Sequence, residues 1–183
     1  MSLRTFVALE VKDQELKDRI GEMQEKLRAS GAQLKMVERE NLHITLKFIG
    51  DIPEAAVGEV VEPLRAVRLP PFSVRFKGLG VFPSPSRINV VWLGVVEGGE
   101  SIRKLNASVN EKLAAFGRPE PFKAHLTIAR VKGPRNLPQL ASEVESRSEE
   151  EGGTVQFTEF QLKKSVLTPT GPVYSDLAVF PLG

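Results

Sequence analysis

Cysteine is absent from all 183 residues. That excludes disulfides, thiolate nucleophiles and every zinc site built on sulfur. Histidine occurs only twice, and tryptophan and tyrosine once each. A catalytic zinc takes three protein ligands, so two histidines would need a carboxylate to complete the set. Neither a His-Glu-x-x-His motif nor an Asp-rich cluster accompanies them, and no metal or other cofactor is expected. No apolar run approaches the ~20 residues that span a bilayer. The first residues turn acidic at Glu10, which does not read as a secretory signal. The expectation is a soluble monomer in the cytoplasm with no membrane contact. A large excess of one charge is lacking too: 25 Lys and Arg against 23 Asp and Glu leave +2. This balance suits a phosphate-bearing partner but not a protein that coats nucleic acid.

What is present is ordinary globular composition, 41% hydrophobic and 26% charged, long enough to bury a core as one domain over residues 1–183. Thr5 to Val11 reads as a first strand. Leu16, Ile20, Met23 and Leu27 then mark one stripe of an amphipathic helix closed by Gly31. Leu34 to Val37 is a short strand. Leu42 to Ile49 alternates, with Leu42, Ile44, Leu46 and Phe48 set toward a core and His43, Thr45 and Lys47 away from it. Pro53 opens a second helix through Val57, Val60, Val61 and Leu64, with Pro63 ending or kinking it. Phe72 to Phe82 and Arg87 to Glu97 form a hairpin about Pro83-Ser84-Pro85-Ser86. A third helix carries Ile102, Leu105, Val109, Leu113 and Phe116 and ends at Gly117. Phe122 to Val131 is a strand with His125, Thr127 and Ala129 on one face. Pro138 opens a last helix to about Ser148, and residues 149–153 read as a solvated acidic loop. Thr154 to Leu167 and Val173 to Phe180 make a final strand pair.

The two halves follow the same order: helix, histidine strand, glycine, proline-opened helix, long strand, proline-rich turn, strand. This predicts an α+β fold of two pseudo-symmetric lobes, each an antiparallel sheet with helices on its outer face, enclosing a central cleft. Each lobe would lend one strand to that cleft.

Both histidines are followed two residues later by threonine, in His43-Ile44-Thr45-Leu46 and His125-Leu126-Thr127-Ile128. Threonine occurs seven times in the chain, so composition alone gives this double placement a probability of roughly 0.0015. At i and i+2 on a strand the imidazole and the hydroxyl point the same way. A Ser-His-Asp triad would use one histidine and leave the other idle. Two matched imidazoles fit phosphodiester chemistry, in which one group takes a proton from water and the other gives one to the departing oxygen. Thr45 and Thr127 would hydrogen-bond the non-bridging oxygens.

These motifs resemble the paired His-x-Thr-x motifs of the 2H (two-histidine) phosphoesterase superfamily. More closely, the chain resembles the RNA 2′,3′-cyclic phosphodiesterases also called 2′-5′ RNA ligases. The resemblance extends through Arg4-Thr5-Phe6-Val7-Ala8-Leu9, Glu40 to Gly50, Arg87 to Val95, Phe122 to Arg130 and Gly171-Pro172-Val173-Tyr174. Ile49 and Ile128 stand where leucine is common, a conservative difference. The resemblance implies hydrolysis of a terminal 2′,3′-cyclic phosphate to a 2′-phosphate, with reversible 2′-5′ joining of tRNA halves as a side activity. It implies His43 as general acid and His125 as general base, an assignment the residues themselves leave open. It also implies substrate-binding roles for Arg130 and Phe48. Strand parity speaks against both, setting Arg130 opposite His125 and Phe48 in the core. Two other readings remain open on the residues: a non-catalytic module gripping RNA ends through lysines and arginines such as Lys47 and Lys123, and a phosphodiesterase of a small cyclic nucleotide.

Overall fold

A computed structural model describes residues 1–183. Nine strands and four helices follow in the order β1 (Ser2–Glu10), α1 (Gln14–Arg28), β2 (Leu34–Met36), β3 (His43–Pro53), α2 (Val57–Leu64), β4 (Phe72–Ser84), β5 (Arg87–Glu97), α3 (Gly99–Lys112), β6 (His125–Val131), α4 (Leu137–Glu145), β7 (Glu151–Phe157), β8 (Glu159–Thr168) and β9 (Gly171–Pro181). Local chemistry sets these bounds. The Asp13 carboxylate accepts from the Leu16 backbone N–H at 2.8 Å and starts α1, satisfying one of the donors a helix start leaves free. Pro63 has no N–H, and α2 stops one residue after it.

Two antiparallel sheets result, with strand orders β3-β1-β8-β9 and β2-β6-β5-β4-β7. Helices α2 and α3 lie against the first, α1 and α4 against the second. The α+β, two-lobed expectation holds. The repeat, however, runs differently from the order read along the chain. Setting β3 upon β6 aligns β1 with β5, β8 with β4, and β9 with β7. The spatial counterpart of β5 is therefore β1, and the last long strand of each half crosses to the other half's sheet.

Four local expectations are corrected. Thr154 to Leu167 is not one strand: β7 pairs with β4 and β8 pairs with β1, in different sheets, with Thr158 as the whole connection. The acidic run is not a free loop, since Glu151 opens β7, Gly152 is buried, and the Glu150 carboxylate accepts from Lys26 at 3.2 Å. Pro53 ends β3 rather than opening α2, and a single 3₁₀ turn at Glu54–Ala56 separates them. The third helix also stops at Lys112, short of Gly117.

Both histidine strands are riveted by apolar neighbours. Ile44 and Leu46 on β3, and Leu126 and Ile128 on β6, are at most 2% exposed, each contributing about 1.5–3 kcal/mol of burial. They belong to one hydrophobic cluster of 35 residues drawn from both sheets. With these side chains fixed inward, His43, Thr45, His125 and Thr127 must face the other way.

Alternation then breaks at the same place in both strands. Ala8 stands opposite Thr45 and Val7 opposite Lys47, leaving Leu46 unmatched. Trp92 stands opposite Thr127 and Val91 opposite Ala129, leaving Ile128 unmatched. Each is a β-bulge three residues after the histidine, and a bulge reverses the facing of everything beyond it. Lys47 and Ala129 therefore turn inward, at 5% and 0% exposure, while Phe48 turns out at 51%. This overturns the parity reading for Lys47, Ala129, Phe48 and Arg130 alike.

Candidate active site

His43 and His125 line one cleft together with Thr45, Thr127, Arg130, Asn41 and Tyr174. It encloses about 90 Å³. The two imidazoles are held alike. His43 Nδ1–H donates to the Asn41 carbonyl and His125 Nδ1–H to the Lys123 carbonyl, each at 2.6 Å. A carbonyl can only accept, so the proton of each neutral ring sits on Nδ1 and leaves Nε2 as the reactive nitrogen. In both cases the acceptor lies two residues before the histidine, a repeat of geometry that matches the repeat of sequence.

Aromatic edges fix the ring planes. Tyr174 stands edge-on to His43 with centroids 5.4 Å apart and Phe6 lies 5.1 Å away. Phe82 stands edge-on to His125 at 4.9 Å. The Thr45 hydroxyl lies 3.0 Å from His43 Nε2 and donates to it in the neutral ring. Thr127 borders the same space.

Electrostatics favour an anion here. Burial pushes the His43 pKa down from 6.5 to about 4, and the positive charges of Lys163 and Arg130 push the same way. The bond to the Asn41 carbonyl and the Glu10 carboxylate oppose this without reversing it. His125 is likewise lowered, by burial first and then by Lys123 and Arg130. Arg130 thus acts on both imidazoles. The bulge at Ile128 is what brings it to their side of the sheet, where it also lines an adjoining recess with Arg4, Phe6 and Phe48. In that recess the Arg4 guanidinium lies over the exposed Phe48 ring at 5.1 Å. Phe48 and Arg130 occupy equivalent places, five residues after their histidines.

All six residues singled out from the sequence therefore border this cleft and its recess: His125 and Thr127 in the first, His43, Thr45 and Arg130 in both, Phe48 in the second. Sequence reasoning missed the layer behind His43. Lys163, 4% exposed, donates to the carboxylates of Glu10 and Asp176, the latter at 2.7 Å. Nothing in a strand of alternating residues marks Lys163 as buried, because its two acids come from β1 and β9. Tyr174 and Asn41 were missed as well, although tyrosine occurs once in the chain. No group of three or more His, Asp or Glu side chains is gathered closely enough to hold a metal ion.

Comparison with known proteins places the chain. The family described as "LigT like Phosphoesterase" matches twice, over residues 10–92 and 93–174. The chain is 41% identical to a protein of Methanothermobacter thermautotrophicus named RNA 2′,3′-cyclic phosphodiesterase, over the whole of both chains. It is 44% identical to one of the same name from Archaeoglobus fulgidus, covering 97% of this chain and 99% of that one. Among solved structures, a Thermus thermophilus protein superposes with a TM-score of 0.80 at 27% identity, covering 98% and 97% of the two chains. Escherichia coli LigT in its apo form superposes with a TM-score of 0.78 at 23% identity, over 99% and 98%. The duplicated match falls on the two histidine-bearing halves whose geometry repeats, and the chain belongs to the LigT-like, two-histidine (2H) phosphoesterases.

Proposed function

We propose that this chain is an RNA 2′,3′-cyclic phosphodiesterase that works by two-histidine acid–base catalysis with no metal. The observation that carries the reading is the pair of imidazoles, each with Nδ1 tied to a carbonyl and Nε2 turned into one cleft beside a threonine and Arg130. The curated relatives named above bear this activity in their names.

His125 Nε2 takes a proton from water as its oxygen attacks phosphorus. The bond from phosphorus to the 3′ oxygen breaks in line, and that oxygen takes the proton of the His43 imidazolium. The products are a 2′-phosphate and a free 3′-hydroxyl. Thr45, Thr127 and Arg130 hold the non-bridging oxygens, where charge grows. The exposed Phe48 ring offers a stacking surface for a nucleobase. With the 5′-hydroxyl of a second RNA in place of water, the same displacement gives a 2′-5′ linkage, the joining expected of tRNA halves. On this reading the enzyme is one two-lobed domain acting as a monomer in the cytoplasm.

Phosphorus NMR of a short RNA ending in a 2′,3′-cyclic phosphate, incubated with the protein in EDTA, tests it directly. The cyclic resonance is expected to give way to that of a 2′-phosphate. A cyclic phosphate that persists unchanged would remove this substrate from consideration. A narrower test addresses Thr45: valine keeps the β-branched shape on the strand and removes the hydroxyl. Thr45→Val is expected to lower kcat by about 10²-fold, the scale of one lost oxyanion donor. An unchanged kcat in steady-state assay would take Thr45 out of the reaction.

A further inference from the structure

A third recess, about 200 Å³ in volume, shares Thr45 and His125 with the catalytic cleft and runs between β3, α3 and residues 118–123. Three cations and one acid line it: Lys47, Arg118 and Lys123 against Glu120, a net excess of positive charge. Twelve of the chain's 25 lysines and arginines lie within 4.0 Å of a carboxylate. None of these three does.

Lys47 is the telling residue. The bulge at Leu46 turns it inward, and the residue is only 5% exposed. Its ammonium makes one hydrogen bond, to Asn110 Oδ1 at 2.7 Å. Asn110 is aimed by donating to the Asn106 carbonyl at 3.1 Å, and Asn106 in turn donates to the Leu46 carbonyl at 2.7 Å. An ammonium has three donors, so two are left without protein partners. The side chain is packed under the strand while its ammonium opens on the recess, where an anion can take the remaining donors in charge-assisted bonds. Burial lowers the Lys47 pKa, and Glu120, beyond ion-pairing distance, is the one acid that opposes this. Lys123 is spread over the rings of Phe82 and Trp92, at 5.5 and 5.0 Å, which fixes its charge at the mouth beside His125.

We propose that this recess binds the internucleotide phosphodiester one nucleotide to the 5′ side of the cyclic phosphate. The proposal rests on the preceding reading of the cleft and adds that an RNA end is preferred to a free nucleoside cyclic phosphate. A phosphodiester supplies the single negative charge Lys47 lacks, and its oxygens take the two free N–H groups. The shared walls, Thr45 and His125, make it the neighbour of the reacting phosphate. Phe48 borders both this recess and the aromatic one beside Arg4, and the latter is left for a base.

Two dinucleotides ending in a 2′,3′-cyclic phosphate decide the matter, one with a natural linkage and one with a neutral methylphosphonate. Cytidine 2′,3′-cyclic phosphate serves as the reference that tests hydrolysis alone. Wild type is expected to favour the natural dinucleotide over the methylphosphonate by about 10–100-fold in kcat/KM, the scale of a charge-assisted hydrogen bond. Lys47→Met should bring that ratio toward one, and Arg118→Ala, on an exposed residue, should lower it without risk to the core. Equal rates of wild type on the two dinucleotides would overturn the proposal. So would a Lys47→Met protein that is slowed alike on every substrate while the ratio stands. If no substrate is hydrolysed, the reading of the cleft fails by itself. Fluorescence anisotropy with the two dinucleotides carrying 2′-phosphate ends then tests the recess independently, and equal affinities would overturn it.

Discussion

His125→Ala and His43→Ala are each expected to lower kcat on a 2′,3′-cyclic phosphate by about 10²–10⁴-fold, the usual worth of a positioned acid or base. The double variant should lose little more than either alone, because the two proton transfers belong to one displacement and groups that act as a unit are not additive. KM should change far less, since Arg130 and the threonines remain to hold the phosphate. Neither change threatens the fold: the side chains that anchor β3 and β6 are Ile44, Leu46, Leu126 and Ile128. Single-turnover rates under EDTA provide the measurement. Losses that multiply in the double variant would mean the histidines act in separate steps, and the shared-cleft mechanism would be abandoned.

The pH profile carries the second large effect. The reaction needs one imidazole protonated and one neutral, yet in the free protein His43 is pushed down to about 4 and His125 is lowered from 6.5. At pH 7 both are therefore mostly neutral, so a base is ready and an acid is scarce. Above pH 6.5 the singly protonated pair declines about tenfold per pH unit, and kcat/KM, which reports the free enzyme, should decline with it. The optimum of kcat/KM is expected on the acid side of 6.5. A bound phosphodiester brings a negative charge against Arg130 and Lys163, two of the groups that depress His43. Binding should thus draw in a proton and move the optimum of kcat to higher pH. The two histidines titrate as a pair, so the shape is the same whichever one carries the proton. A kcat/KM optimum above pH 7 would contradict the electrostatics described here, as would product binding that shows no proton uptake by calorimetry in buffers of different ionisation enthalpy.

How much of this was legible in the sequence depends on how local the cause is. The stripe of Leu16, Ile20, Met23 and Leu27 and the alternation from His43 to Leu46 are set by neighbours a few residues away, and they were read correctly. The bulges were not legible. Neither Leu46 nor Ile128 is a glycine or other residue that signals irregular pairing, and the extra residue shows only against β1 and β5. One missed residue in each strand misplaced Phe48, Lys47, Ala129 and Arg130 together. The break between β7 and β8 was hidden for a related reason. Thr158 is no turn former, and the apolar positions Val155, Phe157 and Phe160 run on past it. The buried Lys163 depends on acids from two other strands and had no sequence signal at all.

The crossing of β4 and β8 between the lobes has a kinetic consequence. β1 finds a partner in β8 only when Arg4 meets Ser165 near the far end of the chain, and β4 joins β5 in a sheet that β7 must still extend. Loop-closure entropy has to be met before such distant pairings yield anything, which places this topology among slow folders of high contact order. The first half of the chain emerging from a ribosome holds His43 on β3 but lacks the β8 strand that flanks β1. The cleft that His43 and His125 share is therefore closed only by the last part of the chain, which supplies Pro172 and Tyr174 to its wall.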